Sequence, residues 1–121
     1  DWALGAGSLP LIYSSADPKT VAAVQARFGR ERTAQALEAF FAETARLLVA
    51  GGVTRLISAG GETSGAVVEG LGVEALAIGP KIDPGVPALR ARDDLVVALK
   101  SGNFGAEDFF AKADRVLEGA A

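Results

Sequence analysis

The sequence predicts an α/β fold, a three-layer, Rossmann-like domain in which a mostly parallel sheet is flanked by helices. Three observations support this prediction. Short apolar runs rich in Val, Ile and Leu alternate along the chain with longer segments of helical period. Glycine or proline separates most of these segments. The chain has 121 residues, half of them hydrophobic, which suffices for one domain with its own core.

The predicted helices are bounded by residues that favour helix starts and stops. Asp17 at the N-cap and Pro18 at the first helical position begin a helix that runs to about Phe28, where Gly29 stops it. Further helices are expected over residues 30–50, over residues 63–71 and from residue 105 onward. The second helix has an apolar face of 3.6-residue period, formed by Leu37, Phe40, Phe41, Thr44, Leu47 and Leu48.

The predicted strands are the apolar runs between these helices, over residues 10–15, 53–59, 74–78 and 94–99. Between the last two, residues 79–87 contain three prolines, which favour a stiff, extended loop. This loop follows the carboxyl end of a strand, where α/β sheets bind ligands, so Asp83 is a candidate to contact a metal ion or a ribose. The alternative for the segment is a rigid connector.

Composition excludes several classes of function. The chain has no cysteine and no histidine, which excludes disulfides, thiolate metal sites and histidine-based catalysis. Its formal net charge is −3 and its basic residues are scattered, so no nucleic-acid partner is expected. The apolar runs are too short to cross a bilayer and no signal peptide is visible, which predicts a cytoplasmic protein without membrane contact. Because the chain does not begin with Met, we expect a fragment of a longer protein.

The most informative motif is the glycine pair at the end of the second predicted strand, in residues 60–65. Gly60 and Gly61 tolerate positive φ and let a ligand approach the backbone, and the following helix directs its free N–H groups at that ligand. This geometry binds phosphate. The alternative is a tight strand-to-helix turn with a polar N-cap, since the motif is neither a P-loop nor a GxGxxG fingerprint.

Two charged residues border the predicted phosphate site. Glu62 would repel phosphate unless a cation intervenes, so it is a candidate to hold Mg²⁺ through water, or else it interacts with the helix N-terminus. Lys100 begins a second glycine loop, residues 100–105, that also joins a strand to a helix. Lys100 can meet phosphate oxygens there, or it is a solvated strand end. Two such loops in one small domain favour a nucleotide.

Taken together, the loops over residues 60–65, 79–87 and 99–105, followed by Asp108-Phe109-Phe110, resemble the four-carbon acid sugar kinase family. Glu62 and the form of the second glycine loop are most similar to the 3-oxo-tetronate kinase branch. The resemblance implies an ATP-binding carboxy-terminal domain that uses Mg-ATP. The acceptor would be the terminal hydroxyl of a 3-oxo-tetronate, or of a threonate or erythronate type acid.

The resemblance also implies which residues contact ATP. The ATP-binding stretch of the family is matched by Gly60, Gly61, Glu62 and Thr63, and another contact by Gly105. Three further motif members are expected near the phosphates, Ser64, Lys100 and Gly102. In the family Pro87 is commonly followed by an aromatic residue, whereas Ala88 follows here, so one wall of the site is expected to differ.

The sequence lacks the family's amino-terminal sugar-acid domain, in which the catalytic residues are expected. Residues 1–121 therefore correspond to the nucleotide-binding domain of a larger two-domain kinase, inactive by itself. Two alternatives remain open. One is a non-catalytic or regulatory nucleotide-binding module, which would form a homodimer through an exposed apolar patch. The other is an NAD-binding dehydrogenase domain, although no GxGxxG follows the first predicted strand.

Overall fold

The sheet of this protein is mixed, with four strands in the order β1-β4-β3-β2. The computed structural model describes residues 4–5, 9–13, 18–101 and 107–120. The strands are β1 (Arg55–Ala59), β2 (Ala77–Asp83), β3 (Val86–Arg92) and β4 (Leu95–Lys100). The helices are α1 (Pro18–Phe28), α2 (Arg30–Ala50), α3 (Gly61–Gly70) and α4 (Phe109–Ala120). The predictions for Asp17, Gly102 and Gly105 concern residues outside the described set.

The α/β class is confirmed, but the sheet is not mostly parallel as expected. Within the described residues β1 pairs with β4 in parallel, whereas β3 is antiparallel to both β4 and β2. The difference arises at Pro84 and Gly85, which turn the chain back on itself between Asp83 and Val86. Gly85 has φ of 80°, the value that the third position of a type II turn requires after proline. The prolines therefore shape a β-hairpin rather than a stiff loop.

The sheet lies between two layers of helices, as the three-layer prediction requires. The strand β4 is buried on both faces, and successive side chains alternate between the layers. Val96 and Ala98 pack in a cluster with α4, whereas Leu95 and Val97 pack with α2 and α3. On the α4 side the helix contributes Phe109, Ala113 and Leu117, all fully buried. This apolar sandwich fixes α3 and α4 relative to the strand that both of them flank.

The bounds of α1 and α2 match the predicted helices, but the apolar face of α2 is not where the period placed it. Phe41 packs against the core and Leu48 is half-buried, whereas Leu37, Phe40 and Leu47 are exposed. The small residues do the packing here: the Cβ that Gly70 of α3 lacks would lie 2.8 Å from the Cβ of Ala42. Close approach of the two helices, rather than large side chains, forms this contact.

The first predicted strand, over residues 10–15, does not form in the residues that the structure describes. Residues 10–13 belong to no strand or helix, and residues 14 and 15 lie outside the described set. Leu11, Ile12 and Tyr13 are exposed. An apolar run becomes a strand only where a neighbour supplies ladder hydrogen bonds, and among the described residues β1 pairs with β4 alone. No described helix is long and apolar enough to cross a membrane.

The close contact between α2 and α3 predicts opposite effects for two alanine substitutions in α3. Gly70→Ala should lower the free energy of unfolding by about 1–3 kcal/mol, because its methyl group collides with Ala42. Gly65→Ala should raise it by about 0.5–1 kcal/mol, because that Cβ meets nothing within 4 Å and alanine favours the helix. Urea unfolding of both variants measures the difference, and equal stabilities would contradict the packing.

Candidate functional site

The two glycine loops begin side by side at one edge of the sheet. Since β1 and β4 are parallel neighbours with Ala59 opposite Lys100, both strands end at the same edge. The backbone N–H of Gly60 donates to the carbonyl oxygen of Lys100 over 2.8 Å, which ties the first loop to the start of the second. The carboxyl edge of parallel strands is where α/β sheets bind ligands.

The glycine pair of the first loop is required for two different reasons. Gly60 has φ of 105° and ψ of 129°, a conformation that L side chains rarely adopt, and it turns the chain from β1 directly into α3. Gly61 is the first residue of α3, and a Cβ there would lie 3.1 Å from Oγ of Ser101. One glycine therefore meets a backbone constraint, and the other keeps open the space between the two loops.

The amino terminus of α3 opens onto this space without a side-chain cap. The N–H of Ser64 donates to the carbonyl oxygen of Gly60 over 2.8 Å, so the N–H groups of Gly61, Glu62 and Thr63 precede the hydrogen-bond ladder of the helix. Together with the positive end of the helix dipole, such groups bind an anion. The helix begins two residues earlier than predicted, which adds Gly61 and Glu62 to this set.

Ser64 has a different environment from the residues before it. Its hydroxyl donates to Oγ of Ser58 on β1 over 3.1 Å, and both side chains are buried. The hydroxyl pair ties the first turn of α3 to the strand beneath it. The predicted place of Ser64 near the phosphates is not tested by this contact, and it stays a prediction.

The charged residues of the motif lie at the same edge. Glu62 is exposed in the first turn of α3, and Lys100 is half-buried at the end of β4. The described residues contain no group of three or more acidic side chains that would hold a metal ion by themselves. Mg²⁺ in nucleotide sites is commonly held by one or two carboxylates together with the phosphates, and a single exposed Glu62 fits that mode.

Asp83, predicted as a metal or ribose contact, is held by a lysine that sequence reasoning missed. The carboxylate lies at the carboxyl end of β2, is 6% exposed, and forms an ion pair with Lys112 in the first turn of α4. The hydrogen bond to Asp83, followed by the charges of Asp108 and Asp83, raises the pKa of Lys112. No sequence signal joins two residues that are 29 positions apart.

An apolar groove of about 600 Å³ runs along the outer edge of β1. It is lined by residues 9–13, by β1 and by the inner side of α2. At the carboxyl end of β1 the groove reaches Ala59 and Thr63, so it opens beside the first glycine loop. The described part of the candidate site therefore combines a helix amino terminus of the kind that binds phosphate with an adjoining apolar groove.

Comparison with known proteins identifies the family. A family model described as a nucleotide-binding C-terminal domain matches residues 1–110. The chain belongs to this family. It is 53% identical to a 3-oxo-tetronate kinase of Pseudomonas savastanoi pv. phaseolicola over 99% of its own length and 28% of the relative. It is 55% identical to a 3-oxo-tetronate kinase of Burkholderia multivorans over 92% of its length and 26% of the relative.

A crystal structure of the same fold supports the assignment. The Haemophilus influenzae protein HI1011 matches with a TM-score of 0.83 and 44% identity over 93% of this chain and 28% of that one. The chain thus spans between a quarter and a third of the length of the proteins it matches. The resemblance to the four-carbon acid sugar kinases is confirmed at the level of the nucleotide-binding domain.

The Asp83–Lys112 pair predicts a loss of stability at high pH. Because the folded pKa of Lys112 is raised above 10.5, its contribution is complete below that pH and is lost as the pH rises through the folded pKa. Wild type should therefore lose more stability than Lys112→Met when urea unfolding is followed from about pH 8 to about pH 12. Parallel stability curves for the two proteins would contradict the pairing.

Proposed function

We propose that this chain is the ATP-binding domain of a kinase that phosphorylates a four-carbon acid sugar at its terminal hydroxyl. The observation that carries the proposal is the uncapped amino terminus of α3, which opens at Gly61 beside Ser101 on the edge where β1 and β4 both end. The relatives named 3-oxo-tetronate kinase support a 3-oxo-tetronate as the acid, with threonate or erythronate types as alternatives.

The chemistry asked of this domain is the binding of a polyphosphate. Phosphoryl transfer depends mainly on positioning and on neutralising charge. The N–H groups of residues 61–63 donate to phosphate oxygens at the helix terminus, and Lys100 adds positive charge at the end of the neighbouring strand. The proposal assigns the same role to Gly102 and Gly105, with Ser64 at the inner side of the turn. These residues bind and orient the nucleotide, and none of them is proposed as a general base.

Magnesium is the second component of the proposal. Bound Mg²⁺ bridges phosphate oxygens and neutralises their charge. Glu62, exposed in the first turn of α3, would hold it through water at the edge where phosphate binds. Without the cation, the carboxylate and the phosphates would repel each other.

The sugar-acid pocket and the catalytic base are assigned to the remainder of a longer kinase. The relatives are between three and four times as long as this chain, which supports a two-domain enzyme whose substrates meet in a cleft. We therefore expect the 121 residues to bind nucleotide without turnover. A cytoplasmic location completes the proposal, since ATP and sugar acids are both available there.

A second candidate, a non-catalytic module that associates with itself, is favoured by one feature of the helical layer. Large apolar side chains are exposed along α1 and α2, namely Val21, Val24, Phe28, Leu37, Phe40 and Leu47. Single exposed apolar residues are ordinary, but a cluster of them is typical of an interaction surface. A homodimer of the chain would bury this face and would be compatible with nucleotide binding.

The phosphate loop predicts that a side chain at position 61 blocks nucleotide binding. Gly61→Val should weaken Mg-ATP binding at least about 10-fold, because its side chain enters the space between the loops. Gly65→Val is the matched control, since it adds the same side chain to the same helix where a Cβ meets nothing within 4 Å. Calorimetric titration with Mg-ATP, and with NADH for comparison, measures both. Binding of NADH alone, or equal affinities of the two variants, would contradict the proposal.

The proposed role of Glu62 predicts that Glu62→Gln changes the affinity for ATP in opposite directions with and without magnesium. In the presence of Mg²⁺, Glu62→Gln should bind ATP a few-fold more weakly than wild type, because a ligand of the cation is lost. In a chelator it should bind ATP more tightly, because the repulsion between carboxylate and phosphate is gone. Glu69→Gln, an exposed carboxylate near the other end of α3, is the control and should change neither value. If Glu62→Gln changes the affinity for ATP equally with and without magnesium, Glu62 does not hold the metal ion.

A further inference from the structure

Ser58 and Ser64 form a polar contact where the apolar pattern of both elements predicts hydrophobic side chains. On β1, Ser58 shares a face with Leu56, which packs in the cluster with α2 and α3. On α3, Ser64 precedes Val67 by three positions, and the two buried side chains lie on one face of the helix. Among the described residues, Asp83 is the only other buried polar side chain.

The two hydroxyl groups satisfy each other within the protein. The hydroxyl of Ser64 donates to Oγ of Ser58 over 3.1 Å, and the carbonyl oxygen of Ser58 is a second, longer acceptor at 3.5 Å. Ser58 is 7% exposed and Ser64 is 6% exposed. Because a buried hydroxyl that loses its partner is costly, the contact holds the strand and the helix together at this point.

This contact lies directly beside the free N–H groups of the first glycine loop. Residues 61–63 precede Ser64 in the same helical turn, at a rise of about 1.5 Å per residue. The backbone N–H of Ser64 donates to the carbonyl oxygen of Gly60 over 2.8 Å, which is the first hydrogen bond of the helical ladder. A shift of Ser64 along the helix axis therefore moves the three free N–H groups with it.

We propose that Ser58 is a positioning residue of the nucleotide site. Its hydroxyl holds Ser64, and with it the first turn of α3, so that the N–H groups of residues 61–63 face the phosphate before it binds. Donors that are held in place beforehand bind more tightly, because less ordering entropy is lost on binding. Ser58 itself does not touch the nucleotide. The inference rests on the proposed ATP-binding function and adds a residue that lies outside the glycine motif.

A hydrogen bond suits this role better than an apolar contact would. Apolar packing such as that of Val67 is not directional, so it sets the position of a helix along a strand less sharply. A hydroxyl pair is satisfied over a narrow range of distances and angles. On the other side of the turn, the backbone N–H of Gly60 is bonded to Lys100. The turn is therefore held to β1 by one hydrogen bond and to β4 by another.

Two other accounts of the serine pair make different predictions. If the hydroxyl of Ser64 donates to a phosphate instead, Ser64→Ala weakens nucleotide binding and Ser58→Ala does not. If the pair only adds stability, both variants lower the free energy of unfolding and leave the affinity of the folded protein unchanged. If Ser58 positions the turn, Ser58→Ala weakens binding although Ser58 touches no ligand.

The chain offers matched controls for these accounts. Val67→Ala removes apolar packing from the same face of α3, about one turn further along the helix, and leaves the serine pair intact. It should lower stability without changing the affinity of the folded protein. Ser58→Thr and Ser58→Val add a side chain of the same shape to the same position, and only the first keeps the hydroxyl.

The experiment is a calorimetric titration of the 121-residue chain with Mg-ATP, with urea unfolding in the same buffer to establish the folded fraction. Ser58→Ala should weaken binding by about 3- to 10-fold, which corresponds to the loss of one hydrogen bond. Ser64→Ala should weaken it at least as much, and the double variant should match Ser64→Ala, because both changes remove the same interaction. Ser58→Thr should bind more tightly than Ser58→Val.

Two results of the titration would overturn the inference. One is wild-type affinity, or tighter binding, in folded Ser58→Ala. The other is equal affinity of Ser58→Thr and Ser58→Val, because the hydroxyl would then have no part in binding.

Amide hydrogen exchange without nucleotide tests the positioning itself. The N–H of Ser64 is bonded to Gly60, so its exchange rate measures how often the first turn of α3 opens. Ser58→Ala should speed this exchange relative to the later turns of α3, whereas Val67→Ala should not. If wild type fails to bind ATP, the proposed function falls, and the exchange rate still decides whether Ser58 holds the turn. Unchanged exchange at Ser64 in Ser58→Ala would overturn the inference whatever the outcome of the titration.

Discussion

The parallel pairing of β1 with β4 is the constraint on which the rest of the structure depends. It sets Ala59 opposite Lys100, so two strands that are distant in sequence end at the same level. The hydrogen bond from Gly60 to Lys100 extends that alignment into the first loop. The apolar character of β4 on both faces makes this pairing stable, because helices cover each side. This register places the first residues of the two predicted ligand loops side by side.

The sequence was sufficient where the signal was local. The bounds of α1 and α2 follow from Pro18, Gly29 and the helical period, and the turn at Gly60 follows from a glycine pair after an apolar run. Prediction failed where the outcome depends on distant neighbours. The stiff loop predicted over residues 79–87 instead forms the end of β2 and the start of β3, because these two strands pair with each other and β3 also pairs with β4. Residues 10–13 carry a strand-like pattern but pair with nothing in the described chain.

Some residues of the candidate site could likewise be predicted from local sequence, whereas others depend on distant neighbours. The first glycine loop and Glu62 could be located from the motif alone, since helix termini bind phosphate through the backbone. The hydroxyl contact between Ser58 and Ser64 could not, because small polar residues in an apolar strand carry no pairing code. The partner of Asp83 could not be predicted either, because Lys112 belongs to α4 and lies 29 positions further along the chain. Family resemblance predicted the nucleotide, and the structure added contacts between distant residues that the motifs do not contain.

The groove along β1 has a consequence for the separate domain in solution. Within the described residues β1 has a pairing partner on one side, and its other side faces an apolar channel. An extended peptide entering that channel would gain backbone hydrogen bonds and apolar burial together. The outer side of β1 is therefore the place at which a further strand would extend this sheet.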